Sequence, residues 1–501
     1  MTVHRRAIVI GLDAADQHLL RTWADQGELP GFAQLFKKSA WGLTKSPPGQ
    51  YAGSIWPSFF TGASPARHGR YFHTQFVPQT YGYREFLPTD LKHPPFWKSV
   101  SDAGKRVIII DVPKAPIDSS LNGIQILDWG THDPESKSVR ISPADIEKVV
   151  RTNYNRGDLV LCDRFARDPG GLKKTLLERV ELKTEMIEHF LTRHHSDLFV
   201  AVFADSHCAG HQFWHLHDPD HPRHDARSHA MLGDALKDVY ISLDQGIARI
   251  LPHIDDDPDT TLIVFSSHGI GPHYDGTFML NDIVTRLQGG TARPRGIKTS
   301  LRRLWRALPG NIRRKVRAPV IRATATDKLK FRTEHAFFAV KTNDNCGGIR
   351  LNVVEREAHG RVRRGEEYDT LCARIREDLL DIINLDTGKP IVRDVLKTRD
   401  LFTGPQIDEL PDLNVVWNRE QPIRRIFSPK IGALNMAFPG HRTGDHRSLG
   451  LICACGRQIP PGPLAAPISI MDIAPTCAAI LGVTELDSDG SVIPEIYPGQ
   501  A

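Results

Sequence analysis

The amino-acid sequence predicts an α/β protein whose sheet is mostly parallel and carries helices on both faces. Short apolar runs alternate with amphipathic segments along most of the 501 residues. Parallel sheets require this alternation, because their strands are joined by crossover connections. Several of the apolar runs are followed directly by polar side chains of the kinds that bind ligands. Hydrophobic residues make up 40% and charged residues 25% of the chain, a balance typical of globular proteins.

The predicted strands are apolar runs of the length that buried strands usually have. The first run, residues 7–11, precedes a helical pattern at residues 17–26. Proline-rich connections are predicted to be loops or cap segments. The remaining predicted strands are residues 107–112, 197–204, 261–267, 348–354, 414–417 and 449–455, and the proline-rich connections are residues 85–96, 131–143 and 458–467.

A basic segment, residues 293–332, interrupts this pattern. It contains 14 Lys or Arg residues against a single acid, Asp327, whereas the whole chain has a net charge of only +5. We expect a solvated helical insertion or cap; the functional alternative is a contact with an anionic substrate, a lipid headgroup or nucleic acid. No interleaved aromatic residues support nucleic-acid readout. The sequence therefore predicts one core, residues 1–292 and 333–501, and a basic insertion.

The sequence favours a soluble, cytoplasmic protein. The apolar run near the start is only Ala7 to Ile10, which is too short for a signal peptide. No stretch approaches the roughly 18 apolar residues that a membrane span needs. The seven cysteines are scattered and form no Cys-x-x-Cys pair, which is typical of reduced thiols. Cys208 lies among histidines, but on a helix it would point away from them.

The segment after the predicted strand 197–204 is the first candidate for a metal site. His207, His211 and His215 recur every four residues, so a helix would carry all three on one face. Imidazoles spaced in this way suit a divalent transition metal. The alternative is a histidine-rich helix start whose rings are solvated.

Two other predicted strands also end in polar side chains. Asp13 follows the first strand, and Ser267 and His268 end the strand 261–267. Because the carboxyl ends of the strands converge on one edge of a doubly wound sheet, these side chains predict a polar, metal-binding centre there. The alternative for Asp13 is a helix N-cap, and Asp16 is expected to be a first-turn acid.

Two further segments supply a hydroxyl group and guanidinium groups as candidates for the predicted centre. Ser54 precedes a proline-containing helix start, where free backbone N–H groups favour a bound phosphate or sulfate and a metal-activated nucleophile. Simple N-capping by Ser54 is the alternative. Before the last buried strand, a loop supplies the imidazole of His446 and two guanidiniums, of which Arg447 is the candidate for binding substrate oxygens.

In order and spacing, these motifs resemble the alkaline phosphatase superfamily, specifically its type I phosphodiesterase/nucleotide pyrophosphatase branch. The resemblance implies an alkaline-phosphatase-like core and a two-metal centre that clamps a phosphoryl group beside a Ser or Thr nucleophile. The segments that carry the resemblance are residues 10–13, 29–35, 61–69, 266–269, 348–353, 444–447 and 471–482.

The resemblance also implies two sets of metal ligands. The first would be Asp13, the nucleophile, Ser267 and His268, and the second His207, His211 and His446. The chain departs from the family's pattern twice, because His207 and Ser267 stand where the family usually has Asp. Losing two negative charges lowers the affinity of the site for two divalent cations. A single ion or a different metal is therefore an alternative. Asp205 is expected to compensate in part.

The nucleophile is a third departure from the pattern. Relatives place it nine residues before the Thr that corresponds to Thr61, where this chain has Ala52. Ser54 is the nearest hydroxyl, and Ser58 is the fallback. The resemblance thus implies a metal-dependent hydrolase of phosphate esters, using one or two Zn²⁺ or Mn²⁺ ions. Its substrate would be an anionic phosphate-containing small molecule, glycan or lipid headgroup. The alternatives are a non-catalytic descendant that binds metal or anions, and a phospho-group transferase.

Overall fold

The computed structural model describes residues 5–49, 52–155, 162–165, 168–255, 257–290, 329–342 and 345–497. The chain divides into two compact units. The predicted basic insertion, residues 293–332, lies outside the described residues except for its last four, so it stays a prediction. The first unit comprises Met1–Tyr71, Leu87–His273 and Gly440–Ala501, and the second comprises Phe72–Phe86 and Tyr274–Pro439.

The described residues form short strands and helices in alternation. The strands are β1 (Arg6–Leu12), β2 (Ala40–Lys45), β3 (Thr74–Val77), β4 (Gly82–Glu85), β5 (Val107–Ile110), β6 (Gly123–Leu127), β7 (Arg140–Ser142), β8 (Leu198–Phe203), β9 (Thr260–Ser266), β10 (Gly269–Pro272), β11 (Phe337–Val340), β12 (Gly347–Leu351), β13 (Ile383–Asn384), β14 (Val392–Lys397), β15 (Leu413–Trp417), β16 (Arg425–Ser428), β17 (Gly432–Asn435), β18 (Gly444–Arg447), β19 (Leu449–Cys455), β20 (Gly462–Pro463) and β21 (Ile468–Ser469).

The helices are α1 (Gln17–Asp25), α2 (Pro30–Lys38), α3 (Ala52–Thr61), α4 (Pro65–His68), α5 (Phe96–Asp102), α6 (Ile146–Asn153), α7 (Pro169–Arg193), α8 (Asp205–His217), α9 (Ala226–Leu232), α10 (Ala235–Ile250), α11 (Pro252–Asp255), α12 (Thr277–Leu287), α13 (Glu366–Leu380), α14 (Thr398–Leu401) and α15 (Ile473–Ile480). Within the described part of the chain, no helix is both long enough and apolar enough to cross a membrane.

The first unit is built on a ten-stranded sheet with the order β20-β2-β19-β9-β1-β8-β5-β6-β7, in which β21 also pairs with β2. Its centre, β9-β1-β8-β5-β6, is parallel throughout. Strand β19 runs antiparallel to both of its neighbours, and β7 runs antiparallel to β6. The predicted fold class is therefore confirmed.

Both faces of this sheet are covered, as the alternation along β1 shows. Ile8 and Ile10 belong to a core cluster that also contains buried residues of α1, α2, α7, α8 and α10. Ala7 and Val9 point the other way, into a cluster with residues of α3, α5 and α15. Because successive side chains of a strand alternate between faces, a strand buried on both sides is apolar along its whole length.

The second unit has its own sheet and its own core. Strands β11, β12, β15 and β14 form an antiparallel sheet in that order. Its apolar face packs with Ile283 of α12 and Ile375 of α13. The predicted strands 348–354 and 414–417 thus belong to an antiparallel sheet, because an apolar run alone does not specify strand direction.

Candidate metal centre

Helix α8 begins directly after β8 and carries the paired histidines into the first unit. His207 and His211 are both buried, and their ring centroids are 4.5 Å apart. Gly210 lies between them, and a Cβ there would be only 2.3 Å from Cδ1 of Ile270 in β10. A side chain at position 210 would therefore require the Ile270 side chain to shift.

His446 reaches the same place from β18. Strand β18 pairs with β10, and His446 stands opposite Ile270 in that register. The Nε2 atoms of His446 and His207 are 2.9 Å apart, and ring nitrogens of His207, His211 and His446 all lie within 4.8 Å of one another. His211 Nδ1 donates to the carbonyl oxygen of Gly444 at 2.7 Å, which leaves the lone pair on Nε2.

Asp13, Ser267 and His268 form a second group beside these histidines. Asp13 Oδ1 accepts hydrogen bonds from Trp56 Nε1 at 2.9 Å and from Ser267 Oγ at 3.2 Å. Ser267 Oγ is also 2.8 Å from His268 Nδ1, and the His268 ring centroid lies 4.5 Å from that of His446. Burial raises the pKa of Asp13 to about 6, although the hydrogen bonds from Trp56 and Ser267 oppose the shift.

The donor set of the two groups fits a divalent cation. Burial holds the pKa values of His207, His211 and His268 well below the usual range, so these rings are neutral and keep lone pairs for a metal. Among the described residues, the buried atoms His207 Nδ1 and His268 Nε2 have no hydrogen-bond partner. Such orphaned nitrogens are costly unless something binds them.

Asp13 does not cap the helix that follows it. The N-cap of α1 is Asp16, whose side chain accepts from the backbone N–H groups of His18 and Leu19. Asp16 is therefore the cap itself and not a first-turn acid, so that expectation was wrong. The backbone N–H of Asp13 donates to the carbonyl of Phe203, so Asp13 continues the sheet and its carboxylate is left for the centre.

The third histidine of α8 does not join the others. His215 Nδ1 lies 3.1 Å from Thr443 Oγ1. Four residues turn an α-helix by about 40° more than one full turn, so His215 lies about 80° around the helix from His207. The expectation that all three histidines share one face was therefore wrong for His215.

A further imidazole, His132, adjoins the centre. Its Nδ1 is 3.4 Å from Sγ of both Cys162 and Cys208, and its ring centroid is 4.2 Å from that of His207. Ligand atoms of His132, His207 and Cys208 lie within 4.8 Å of one another. Cys208 thus faces His132 and His207, contrary to the expectation that it points away from the histidines.

Buried charges surround this thiol–imidazole group. A hydrogen bond from Cys162 and the charges of His132 and Arg179 lower the pKa of the Cys208 thiol well below its usual range. Asp205 is fully buried, and its Oδ1 accepts from Arg179 Nε at 2.6 Å. Asp205 therefore balances Arg179 and is not among the described groups whose ligand atoms converge, contrary to its expected role in compensating for the lost carboxylates.

The loop that carries His132 is held by long-range contacts that local sequence does not show. Asp111 accepts hydrogen bonds from the backbone N–H groups of Trp129 and Gly130, and from Nζ of Lys183. Lys183 comes from α7, far along the chain, and is fully buried. Sequence reasoning missed His132 because it placed residues 131–143 in a proline-rich loop.

The two candidate serines lie in different surroundings within α3. Ser54 is the third residue of the helix and fully buried, so it is not the N-cap. Ser58 Oγ lies 3.0 Å from His68 Nε2, while His68 Nδ1 accepts the N–H of Arg70. His68 Nε2 therefore carries the proton and donates to Ser58. Burial, together with the charge of Arg70, lowers the pKa of His68 to about 3, so His68 does not act as a base for Ser58.

The two guanidiniums of the late loop also differ in position. Arg447 donates to the carbonyl oxygen of Pro272 at 3.4 Å. Arg442 is held by Asp163, with its Nη2 2.9 Å from Asp163 Oδ2. Its Nη1 lies 3.4 Å from His211 Nε2, and its Nη2 lies 3.3 Å from His132 Nε2. Arg442 therefore contacts the imidazoles directly, although sequence reasoning had favoured Arg447.

The sheet, with polar groups gathered at the carboxyl ends of β1, β8 and β9, is the α/β fold of the alkaline phosphatase superfamily. The family described as type I phosphodiesterase / nucleotide pyrophosphatase matches residues 7–403, and the chain belongs to this family. This membership supports an enzyme of the phosphoester-hydrolase kind. A comparison with curated proteins found no match.

Two solved structures share the fold across nearly the whole chain. One is murine ectonucleotide pyrophosphatase / phosphodiesterase 5, as an inactive variant in complex with AMP, with 13% identity and a TM-score of 0.52 over 97% of each chain. The other is phosphonoacetate hydrolase from Sinorhizobium meliloti 1021 in complex with phosphonoacetate, with 13% identity and a TM-score of 0.53 over 96% of each chain.

Proposed function

We propose that this protein is a metal-dependent hydrolase that cleaves phosphodiester or pyrophosphate bonds with a serine nucleophile. The observation that carries the proposal is the convergence of the ring nitrogens of His207, His211 and His446 beside the carboxylate of Asp13. Family membership supports the reaction type. The AMP and phosphonoacetate bound by the two structural relatives support a small anionic phosphorus compound as substrate.

His207, His211 and His446 would hold one cation, and Asp13, Ser267 and His268 with Ser54 would hold a second. A set rich in imidazole favours Zn²⁺, since Mn²⁺ prefers oxygen ligands. A bound dication would stabilise charge on the phosphoryl oxygens and lower the pKa of a hydroxyl group beside it. Asp13 is the single carboxylate in these two sets, so the negative charge that holds two dications is small.

In the proposed reaction, Ser54 Oγ attacks phosphorus in line with the leaving oxygen. The bond from phosphorus to the leaving group breaks, and a phosphoserine forms. Water then attacks phosphorus from the opposite side and releases Ser54. Arg442 would donate N–H groups to phosphoryl oxygens, because its planar guanidinium lies beside the ring nitrogens of His211 and His132.

Turnover of bis-p-nitrophenyl phosphate by the metal-stripped protein, after reconstitution with Zn²⁺, Mn²⁺ or Mg²⁺, tests this proposal. We expect Zn²⁺ to support turnover, and Ser54→Ala to reduce kcat by about 10³-fold or more. Ser58→Ala is the matched control in the same helix, and its turnover should stay near that of the wild type. The absence of turnover with any metal would favour the non-catalytic alternative. Activity only with an added acceptor would favour a transferase.

Metal content gives a test that does not depend on the substrate. His211→Ala should reduce the zinc retained after dialysis, because it removes one of three convergent nitrogens. His215→Ala is its matched control, since His215 lies on the same helix but contacts Thr443. Equal zinc content in both variants would contradict the assignment of His211.

A further inference from the structure

We propose that Cys162, Cys208 and His132 form a second, sulfur-containing metal position that binds a thiophilic divalent cation such as Zn²⁺ and includes His207 as its fourth ligand. This position adjoins the imidazole centre described above. It shares His207 with that centre, so both positions fill together only when His207 loses its N–H proton and bridges the two ions through its two ring nitrogens. It requires neither Ser54 nor hydrolysis.

The distances fit a tetrahedral ion. His132 Nδ1 lies 3.4 Å from each of the two sulfur atoms. In a tetrahedral zinc site, with Zn–S near 2.3 Å and Zn–N near 2.0 Å, a sulfur and a nitrogen ligand stand roughly 3.5 Å apart. A ring nitrogen of His207 is within 4.8 Å of both a His132 nitrogen and Cys208 Sγ. His132, His207 and Cys208 thus already converge, and Cys162 Sγ, 3.4 Å from His132 Nδ1, would move towards this group to become the fourth ligand.

A hydrogen-bond network of thiols accounts for only part of this arrangement. Cys162 donates to Cys208, and Nδ1 of His132 lies 3.4 Å from both sulfur atoms. His207 Nδ1 is buried and lacks a hydrogen-bond partner within the described part of the chain. A metal ion would use both sulfurs and a nitrogen of His207 together.

Metal ions bind the thiolate form of cysteine, and N–H donors point at both sulfur atoms. Arg179 Nη2 lies 4.0 Å from Cys208 Sγ, and Gln212 Nε2 lies 3.7 Å from Cys162 Sγ. Both groups direct N–H donors at sulfur, as outer groups around metal-bound thiolates do. Asp205 pairs with Arg179, so that guanidinium presents no uncompensated positive charge to an incoming dication. Two thiolates would neutralise the ion.

Cobalt(II) substitution tests the proposal, because a Co–S bond produces a near-ultraviolet charge-transfer band that imidazole and carboxylate ligands do not. The full-length protein is stripped of metal, kept reduced with a phosphine and titrated with Co²⁺. All seven cysteines are buried, so a surface thiol does not produce the band. We expect the band in the wild type and a weaker band in Cys208→Ser and in Cys162→Ser, each of which keeps a single Co–S bond.

Cys477→Ser is the matched control, because Cys477 is equally buried but belongs to the core cluster on the other face of the sheet. It should keep the full band. Binding of Co²⁺ by the wild type without a charge-transfer band would overturn the proposal, whether or not the serine variants fold. An undiminished band in both Cys208→Ser and Cys162→Ser would overturn it as well. A band without phosphodiesterase turnover would refute the proposed function alone.

Discussion

Burial determines the protonation of four histidines in the first unit. The pKa values of His68, His207, His211 and His268 are all lowered, with desolvation as the largest cause in each case. Neutral imidazole is the form that binds a metal, so burial prepares three of these rings for ligation. His68 uses its neutral form differently, because it accepts from Arg70 and donates to Ser58.

His68 should make the stability of the metal-free protein fall in acid. The pKa of this fully buried ring is lowered from 6.5 to about 3, so the folded state resists protonation and the unfolded state does not. The stabilisation is complete above pH 6.5 and is lost as the pH falls towards 3, by about 1.4 kcal/mol per pH unit. Urea unfolding between pH 8 and 5 should show a shallower pH dependence for His68→Gln. Equal slopes for both proteins would contradict this.

Arg442 and Arg447 should differ in their effect on substrate binding. Arg442 contacts the ring nitrogens of His211 and His132, whereas Arg447 donates to the Pro272 carbonyl. We expect Arg442→Met to raise KM for a diester substrate by about tenfold, the order of one charge-assisted hydrogen bond. Arg447→Met should change KM little. The reverse result, measured by steady-state kinetics, would assign the substrate contact to Arg447.

At the scale of elements, the centre depends on the close approach of helix α8 and strand β18. A Cβ at Gly444 would lie 2.2 Å from the backbone carbonyl oxygen of Gly210, and backbone does not move aside as a flexible side chain does. The carbonyl of Gly444 also holds the ring of His211. The two glycines therefore set the distance between the histidines of the helix and His446 of the strand.

Gly444→Ala should destabilise the protein and weaken its metal binding together. Overpacking at such a contact costs about 1–3 kcal/mol, and the same displacement moves His446 from His207. Gly170→Ala is the control, because the atoms nearest to a Cβ there lie at 3.8 and 3.9 Å. Its free energy of unfolding should be unchanged or slightly increased. Loss of stability with unchanged zinc content in Gly444→Ala would separate the two effects and contradict the prediction.

The strands and their polar ends could be predicted because the signals are local. An apolar run followed by Asp13, or by Ser267 and His268, is visible within a few residues, and parallel strands bring such ends together. His132 and Cys162 could not be predicted in this way. His132 is placed through Asp111 and Lys183, which are distant from it in sequence, so no local pattern indicates that it adjoins His207.

At the scale of the whole molecule, every ligand assigned to the proposed metal positions lies in the first compact unit. Asp13, Ser54 and His132 come from its first two segments, and His446 comes from its last. The second unit has a separate core built on Ile349, Val415 and Ile375. A metal ion that binds only the folded first unit therefore adds its binding free energy to that unit's stability.

Hydrogen exchange should show that metal binding stabilises the first unit and not the second. At a zinc concentration 100 times Kd, ligand linkage adds about 2.7 kcal/mol, equivalent to about 100-fold slower exchange for amides that open only when the unit unfolds. We expect this slowing in β1, β8 and β9, but not in β12 and β15 of the second unit. His211→Ala should lose most of the slowing, whereas His215→Ala should keep it. Equal slowing in the core strands of both units would mean that they unfold as one, because only then does binding in the first unit protect the second.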